Sequence, residues 1–148
     1  MKSINIFLLC FLLVSCTSQT EKKSGTTSAK FDQYYVHGEQ LYIKNCSNCH
    51  QKNGTGLGLL YPPLKGSDYL VANQHDVICL IRNGKRGELT VNGKSYNQPM
   101  PAMPSLTDLE IAEISTYIYN TWGNEQGIVD VQDVSKILSK CDSVAVIP

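Results

Sequence analysis

The sequence predicts a mainly α-helical domain with long loops and one small β-hairpin. Thr107-x-x-Glu110 has the form of a helix-capping box, and isoleucines at helical spacing follow it. Asn92-Gly93 stands between alternating residues, as in a type I′ hairpin. The segments "NGTGLG" and "YPPLKGS" have no helical period. Because loops of this length in a small domain need something large to pack against, they point to a bulky cofactor.

About four or five helices are expected from the apolar periodicity and the capping residues. Asp32 is a candidate cap for the first helix, and Asn73 is expected to cap a later helix that Gly84 closes. The expected helical segments are residues 32–46, 67–72, 74–83, 107–123 and 130–139.

The start of the chain differs from the rest. An almost unbroken apolar run from Ile4 to Val14 is shorter than the roughly 20 residues that span a bilayer, but it suits an export signal. The run ends in "LVSC", which resembles the bacterial lipobox, in which the cysteine, here Cys16, is lipidated; an ordinary signal peptide is the alternative. We expect a lipoprotein signal peptide at residues 1–15, a flexible tether at 16–30 and the folded domain at 31–148.

Length and charge limit the class of protein. The chain has 148 residues, enough for one domain, with 13 basic and 13 acidic side chains. Without a basic stripe, nucleic acid is not an expected partner. Four basic residues in the part of the chain before Met100 are interpreted as a solvated face rather than as contacts to a cofactor or an acidic partner: Arg82, Lys85, Arg86 and Lys94.

Export also bears on the cysteines. The protein is expected to face the periplasm, anchored by lipid to the inner or the outer membrane, where free thiols tend not to persist. Of six cysteines, Cys10 leaves with the signal and Cys16 carries the lipid. The remaining ones are Cys46, Cys49, Cys79 and Cys141.

The stretch from Cys46 to His50 is a CxxCH motif, which fits three kinds of site. A structural zinc site commonly uses two close-spaced ligand pairs, and the sequence has no second pair. A thioredoxin-like redox site requires a βαβ pattern, which is not visible. Covalent haem c fits best, because two thiols on one helical turn can each form a thioether and His50 can then ligate the iron. Another group should hold the second ring nitrogen of His50.

The second axial ligand of the iron is expected in "NQPMPAMPSLTD". Met100 and Met103 both precede a proline, which disfavours helix at the methionine, so neither is a simple filler of a helix core. The local pattern does not separate the two.

Several motifs together resemble the class I monohaem cytochromes c. They are the CxxCH, the P-x-L loop in "NGTGLGLLYPPLKGSDYL", and the Met-Pro loop and amphipathic helix in "TVNGKSYNQPMPAMPSLTDLEIAEISTYIYNTWGN". The likeness covers residues 31–127 and is greatest to exported bacterial members, which serve as electron carriers or as haem subunits of dehydrogenases, nitrite reductases and oxidases. It implies the class I cytochrome c fold, all-α with a small hairpin before the methionine loop, around one covalent haem c and its iron.

The resemblance also implies roles for individual residues. His50 and Met100 would ligate the iron, with Met103 as the alternative to Met100. The carbonyl of Pro62 would accept the imidazole N–H of His50. The residues that would hold the haem are Cys46 and Cys49 as thioether donors, His50, Met100, Pro62 and Leu64, which would line the ring.

Cys79 and Cys141 stand outside the family pattern. Cys79 lies on an apolar helix and Cys141 follows the last helix, so a disulfide between them would tie the C-terminal tail to the domain. Two separately buried thiols are the alternative, because the sequence does not give the distance between them.

Electron transfer is the expected function. An iron with two strong protein ligands has no open position for substrate or oxygen, so we expect a carrier rather than an enzyme. Its partners would be redox proteins bound transiently, with no nucleic acid and no small-molecule substrate. One alternative is the haem subunit of a larger periplasmic oxidoreductase, and another is a gas-binding or sensing haem protein whose methionine dissociates.

Overall fold

The computed structural model describes residues 24–141. The expected signal at residues 1–15, Cys16 and the tether as far as residue 23 lie outside the described residues. In the described part there are six helices and one two-stranded sheet, which confirms the prediction of a mostly helical fold with one small hairpin. None of these helices is long and apolar enough to cross a membrane.

The elements alternate with loops along the chain. One more helix is present than expected, because the CxxCH motif itself forms a helical turn too short to show a period. The helices are α1 (Ser24–Asn45), α2 (Ser47–His50), α3 (Asp68–Ala72), α4 (Gln74–Asn83), α5 (Asp108–Ile118) and α6 (Val131–Leu138), and the strands are β1 (Leu89–Val91) and β2 (Lys94–Tyr96).

Helix α1 begins at Ser24 rather than near Asp32, the candidate cap. Lys30, in the polar first part of the helix, contacts the folded domain. Its ammonium group donates to Asp130, the N-cap of α6, and lies 5.3 Å from the ring centroid of Tyr34. These contacts join a polar turn to the domain, and a turn without apolar residues gives no periodic signal in the sequence.

The core lies where α1 crosses α5. The apolar face of α5 predicted from its isoleucines is buried, with Ile111 and Ile114 almost fully enclosed. The helices approach closely at Gly38, where an added Cβ would lie 2.0 Å from Glu113 O. Tyr42 of α1 packs on Tyr117 of α5, with ring centroids 5.3 Å apart. This crossing gives a rigid base on which the loops are arranged.

Capping residues set the ends of α4 and α5. Thr107 Oγ1 accepts from Glu110 N, and the Glu110 carboxylate accepts from Thr107 N at 2.7 Å, so the predicted capping box is confirmed. Gly84 closes α4 with a φ of 74°. Asn73 is the N-cap residue of α4, as predicted, but its side chain makes no capping hydrogen bond, because the amide donates instead to Tyr69 O within α3.

The hairpin connects to the rest of the domain through its turn. Asn92 and Gly93 have φ values of 52° and 70°, as a type I′ turn requires. Leu89 pairs with Tyr96 across the strands. Asp68 Oδ1 accepts from Asn92 N at 2.8 Å, so the turn is fixed to the start of α3.

The last helix is attached to α4. Asp130 caps α6 by accepting from Gln132 N at 2.9 Å. Cys79 of α4 and Cys141 just beyond α6 are joined by a disulfide, with their Cα atoms 5.7 Å apart. The end of the described chain therefore has a covalent link to the helix that precedes the hairpin.

Candidate functional site

Two adjoining cavities lie between the CxxCH turn and the methionine segment. Their empty volumes are about 800 Å³ and about 620 Å³, including space open to solvent, and their walls are mostly apolar. Seven residues line both cavities: Cys46, His50, Pro62, Leu80, Ile81, Leu89 and Met100.

The structure brings most of the sequence-predicted site residues to these cavities. Cys49 and Met103 line the larger cavity and Leu64 the smaller one, in addition to the four predicted residues that line both. Cys79 and Cys141 lie elsewhere, in a groove between α4 and α6. Cys16 is outside the described residues. Of the shared lining residues, Leu80, Ile81 and Leu89 were not singled out by the sequence, where apolar residues on α4 and at the hairpin indicate burial without indicating against what.

The CxxCH turn presents both thiols from one short helix. His50 N donates to Cys46 O at 3.0 Å, and Cys49 N donates to the same oxygen at 3.2 Å. Neither cysteine is in a disulfide. Burial, assisted by the neighbouring Cys49, raises the pKa of the Cys46 thiol to about 12.

Among residues 24–141, no cluster of three or more His, Cys, Asp or Glu side chains is arranged to hold a metal ion. A structural zinc site, the first alternative for the CxxCH motif, needs four such ligands. The described part of the chain therefore does not provide a zinc site around Cys46 and Cys49.

The imidazole of His50 has a fixed orientation. Its Nδ1 donates to Pro62 O at 3.0 Å, and because a carbonyl only accepts, the proton must be on Nδ1. Nε2 of the neutral ring then keeps its lone pair for a metal. Burial lowers the pKa of His50, an effect that the hydrogen bond to Pro62 opposes. A bond from Gly56 N to His50 O, 3.0 Å long, fixes the backbone.

Tyr42 supports this turn in a way that the sequence did not reveal. Its hydroxyl donates to Gln51 O at 2.6 Å, next to His50. Burial raises the pKa of Tyr42, so the hydroxyl remains a donor at neutral pH. An aromatic residue on α1 predicts helix packing, but not a hydrogen bond to a loop carbonyl.

The methionine segment, residues 97–108, faces the CxxCH turn from the other side of the cavities. Lys85 and Met100 exchange two backbone hydrogen bonds, each of 2.9 Å, and Met103 N donates to Ile81 O at 3.2 Å. Met100 lines both cavities, as His50 does, whereas Met103 lines only the larger of the two. The two methionines, equivalent in the local sequence, thus differ in their surroundings.

The comparison with known families decides between the remaining kinds of site. The family model for cytochrome c matches residues 35–122 of the chain. The chain belongs to the cytochrome c family. The match spans α1 from Tyr35, the CxxCH turn, the hairpin and the methionine segment, so it covers every part of the two cavities.

The relatives that match this cytochrome c include short proteins and much longer ones. The chain is 30% identical over 112 residues to cytochrome c-552 of Thermus thermophilus, an alignment that covers 70% of this chain and 85% of the relative. It is 32% identical over 108 residues to the cytochrome c subunit of the quinone alcohol dehydrogenase of Komagataeibacter europaeus, covering 69% of this chain and 22% of that subunit. Cytochrome c-551 of Bacillus subtilis is 31% identical over 80 residues, with coverages of 53% and 69%.

Membership in the family gives the cofactor and the function. This cytochrome c binds haem c with its iron covalently and transfers electrons as a carrier rather than as an enzyme. The residues present fit the group, because two unpaired thiols, a neutral imidazole and a thioether sulfur meet at apolar cavities.

Proposed function

We propose that this chain carries electrons through a haem c that is attached at Cys46 and Cys49 and ligated by His50 and Met100. One observation carries the proposal. His50 and Met100 come from separate segments and both line both cavities, while the Nδ1 of His50 is already engaged with Pro62 O. Nε2 is therefore the nitrogen available to the iron, and the Met100 sulfur is its counterpart from the opposite segment.

The bound haem supplies a one-electron couple between ferric and ferrous iron. The residues of the chain do the rest. Pro62 O holds His50 in one orientation, so the imidazole needs little movement when the charge of the site changes. Leu64, Ile81 and other apolar side chains exclude water from the site. A soft thioether from Met100 favours the reduced form, which gives a higher potential than a second histidine would.

Occupation of both axial positions distinguishes a carrier from a gas-binding haem protein. An iron held by both His50 and Met100 would have no position open for oxygen, peroxide or carbon monoxide. The two-way backbone pairing between Lys85 and Met100 supports a methionine that stays in place. The partners would be redox proteins bound through small, transient interfaces.

Export and lipid anchoring are part of the proposal. The apolar run at residues 4–14 and the "LVSC" sequence ending at Cys16 support a lipoprotein signal, followed by a tether that leads to α1. The disulfide between Cys79 and Cys141 is in keeping with an oxidising compartment such as the periplasm. Wild-type protein is expected in the membrane fraction, and a Cys16→Ser variant in the soluble fraction. Equal membrane retention of both would contradict the anchor.

A second candidate function is that of a fixed subunit in a larger oxidoreductase. Relatives with about the same identity are named as cytochrome subunits of a quinone alcohol dehydrogenase and of fructose dehydrogenase, which supports this alternative. Purification of the tagged protein under mild conditions separates the two cases. A carrier is expected to elute alone, whereas a subunit elutes with a catalytic partner in a constant ratio.

The ligand assignment is tested by visible absorption spectra of the ferric and ferrous protein, recorded beside Met100→Ala and Met103→Ala. The wild type should show a weak ferric charge-transfer band near the red end, which arises from iron–thioether bonding. The band should disappear in Met100→Ala and persist in Met103→Ala. Its loss only in Met103→Ala would exchange the ligand without changing the function.

The same spectra test the gas-binding alternative. Reduced wild type should not bind carbon monoxide readily, whereas reduced Met100→Ala should, because the variant has an open axial position. Rapid binding by a wild type that lacks the charge-transfer band would contradict the proposed electron carrier.

A further inference from the structure

The segment that contains both methionines is fixed to the C-terminal end of α4. Lys85 pairs with Met100 through two backbone hydrogen bonds, and Met103 N donates to Ile81 O. At Gly84 the two backbones are so close that an added Cβ would lie 2.6 Å from Met100 O. These contacts fix the first part of the segment, and a side chain from α4 reaches its far end.

That side chain is Arg82. Its Nη1 donates to Pro104 O at 3.2 Å, and its Nη2 donates to Asp108 Oδ1 at 2.6 Å. Asp108 lies in the first turn of α5, where the helix dipole favours a carboxylate, and its Oδ2 accepts from Ser135 Oγ at 2.7 Å. One guanidinium group therefore joins α4, the end of the methionine segment and the start of α5, and Asp108 extends the connection to α6.

The chemistry of arginine suits this position. The side chain of Arg82 is 24% exposed and that of Asp108 is 40% exposed, so solvent screens the ion pair in part and its strength alone explains little. A planar guanidinium can donate from two nitrogens to two different acceptors in a fixed geometry, which an ammonium group cannot. The contribution of Arg82 is therefore one of orientation.

We propose that Arg82 is a positioning residue that holds the methionine segment closed and thereby slows release of the Met100 sulfur from the iron. The inference rests on the proposed function, because it takes Met100 as the axial ligand. For the sulfur to leave, the segment must move away from α4, and that movement breaks the hydrogen bonds from Arg82 to Pro104 and Asp108. Without the guanidinium, the backbone pairing at Lys85 and Met103 and the packing of the segment on the core still resist the movement, but Pro104 and Asp108 lose their hydrogen bonds to α4.

The rate of cyanide binding to the ferric holoprotein measures this opening, because cyanide can occupy the iron only after the sulfur has left. Arg82→Gln should bind cyanide about tenfold faster than the wild type. The substitution removes hydrogen bonds of the guanidinium that exist only while the segment is closed, so it destabilises the closed state relative to the open one. Asp108→Asn should accelerate binding to a smaller extent, because it leaves the bond from Arg82 to Pro104 O in place. Arg82→Lys should fall between the wild type and Arg82→Gln.

Arg86→Gln is the matched control. Arg86 is exposed, lies in the loop between α4 and β1, and loses the same charge on substitution. Its cyanide-binding rate should equal that of the wild type at the same ionic strength. Far-ultraviolet circular dichroism of every variant under the assay conditions separates opening of the segment from global unfolding, because a merely structural effect would lower helicity or the melting temperature without changing the rate in the folded protein.

The possible results separate the role of Arg82 from the assignment of Met100 as the iron ligand. A charge-transfer band in the wild type with equal rates for Arg82→Gln and Arg86→Gln would overturn the role of Arg82 and leave the proposed function intact. Absence of the band from the wild type would overturn the Met100 assignment and this inference together. If Arg82→Gln does not assemble with haem, Asp108→Asn decides, and a wild-type rate in that variant would also contradict the proposal.

Discussion

The two walls of the haem site differ in how they are held. The histidine wall, residues 46–64, is fixed by hydrogen bonds within one short stretch of chain, such as Gly56 N to His50 O and Leu64 N to Gly54 O. The methionine wall, residues 81–85 together with 100–108, joins two segments that are distant in sequence. The cost of closing a loop grows with its length, so the histidine wall is the cheaper one to form.

The difference indicates which side of the site opens first. His50 is held by Pro62 O on its ring and by Gly56 N on its backbone, and Tyr42 adds support at the next residue. The methionine wall depends on the position of α4 relative to α5, and Arg82 of α4 donates to Asp108 of α5 across the two helices. Loss of tertiary packing should therefore release Met100 while His50 remains in place.

The largest expected effect is on the histidine wall, in Gly56→Ala. Gly56 has a φ of 68°, and an added Cβ would lie 2.3 Å from Tyr61 O and 2.7 Å from Pro62 O. The substitution should lower the free energy of unfolding by about 3–5 kcal/mol, from left-handed strain plus overpacking against rigid backbone. Chemical denaturation of the holoprotein measures the loss.

Gly58→Ala is the control for backbone strain alone. Gly58 has a φ of 57°, but no described atom lies within 4 Å of an added Cβ. Its cost should be about 1–2 kcal/mol, the penalty for a side chain in the left-handed region. Equal losses for the two variants would contradict the importance of the contact between Gly56 and Pro62.

The disulfide is expected to affect the methionine wall. Cys79 lies on α4, and the bond to Cys141 closes a loop with a sequence separation of 62. Its removal should lower the free energy of unfolding by about 3 kcal/mol, because the unfolded chain gains freedom. The double variant Cys79→Ser/Cys141→Ser, compared with the wild type by calorimetry with and without dithiothreitol, measures this contribution. Dithiothreitol should destabilise the wild type and leave the double variant unchanged, and an unaffected wild type would contradict the bond.

Gly84→Ala tests the methionine wall directly. The φ of Gly84 is 74°, and an added Cβ would lie 2.6 Å from Met100 O and 2.7 Å from Ala102 N. Because the segment can move aside, the free energy of unfolding should fall by only about 2 kcal/mol, mostly from left-handed strain. Displacement of Met100 should abolish the charge-transfer band of the ferric protein.

Gly66→Ala is the matched control, since its φ is 62° and no described atom lies within 4 Å of an added Cβ. It should lose similar stability but keep the charge-transfer band. A band that persists in Gly84→Ala would show that Met100 does not depend on its close approach to α4.

The smallest expected effect is at the start of α5, which follows the methionine wall. Hydrogen bonds from the backbone N–H and the hydroxyl of Thr107 hold the pKa of Glu110 below its usual value. A lowered folded-state pKa stabilises the protein above the unfolded pKa, and this contribution is lost as the pH falls through the folded pKa. Glu110→Gln should therefore reduce stability by about 0.5 kcal/mol at pH 7, after allowance for solvent screening.

Thermal melts of Glu110→Gln and the wild type at pH 7 and in acid measure this effect. The difference between the two proteins should shrink as the pH falls below the folded pKa of Glu110. A difference that stays constant with pH would mean that the carboxylate charge does not contribute to the cap.

Much of the histidine wall could be predicted from the sequence, because its features are local. The CxxCH turn of this wall is encoded within a few residues, as is the hairpin turn at Asn92-Gly93 outside it, whereas the role of the Pro62 carbonyl was implied by the resemblance to the class I cytochromes c. The capping box at Thr107 is predictable for the same reason. Each of these patterns has a physical cause that acts within one or two turns of chain.

The methionine wall could be predicted only in outline. The local sequence did not separate the two methionines before prolines, and it was the resemblance that favoured Met100, which shares both cavities with His50. Arg82 was interpreted as part of a solvated basic face, because nothing local indicates that Asp108 comes within reach of it. The early start of α1 at Ser24 was missed because residues 24–30 have no apolar period.

Denaturation of the ferric holoprotein, followed by two signals in one titration, tests the difference between the walls most directly. The charge-transfer band would report the proposed bond between Met100 and the iron, and far-ultraviolet circular dichroism reports the helices. The band should disappear at a lower denaturant concentration than the helical signal, because the methionine wall opens while α1, α5 and the histidine wall remain folded. Coincident transitions would contradict this account and would mean that both walls unfold as one unit.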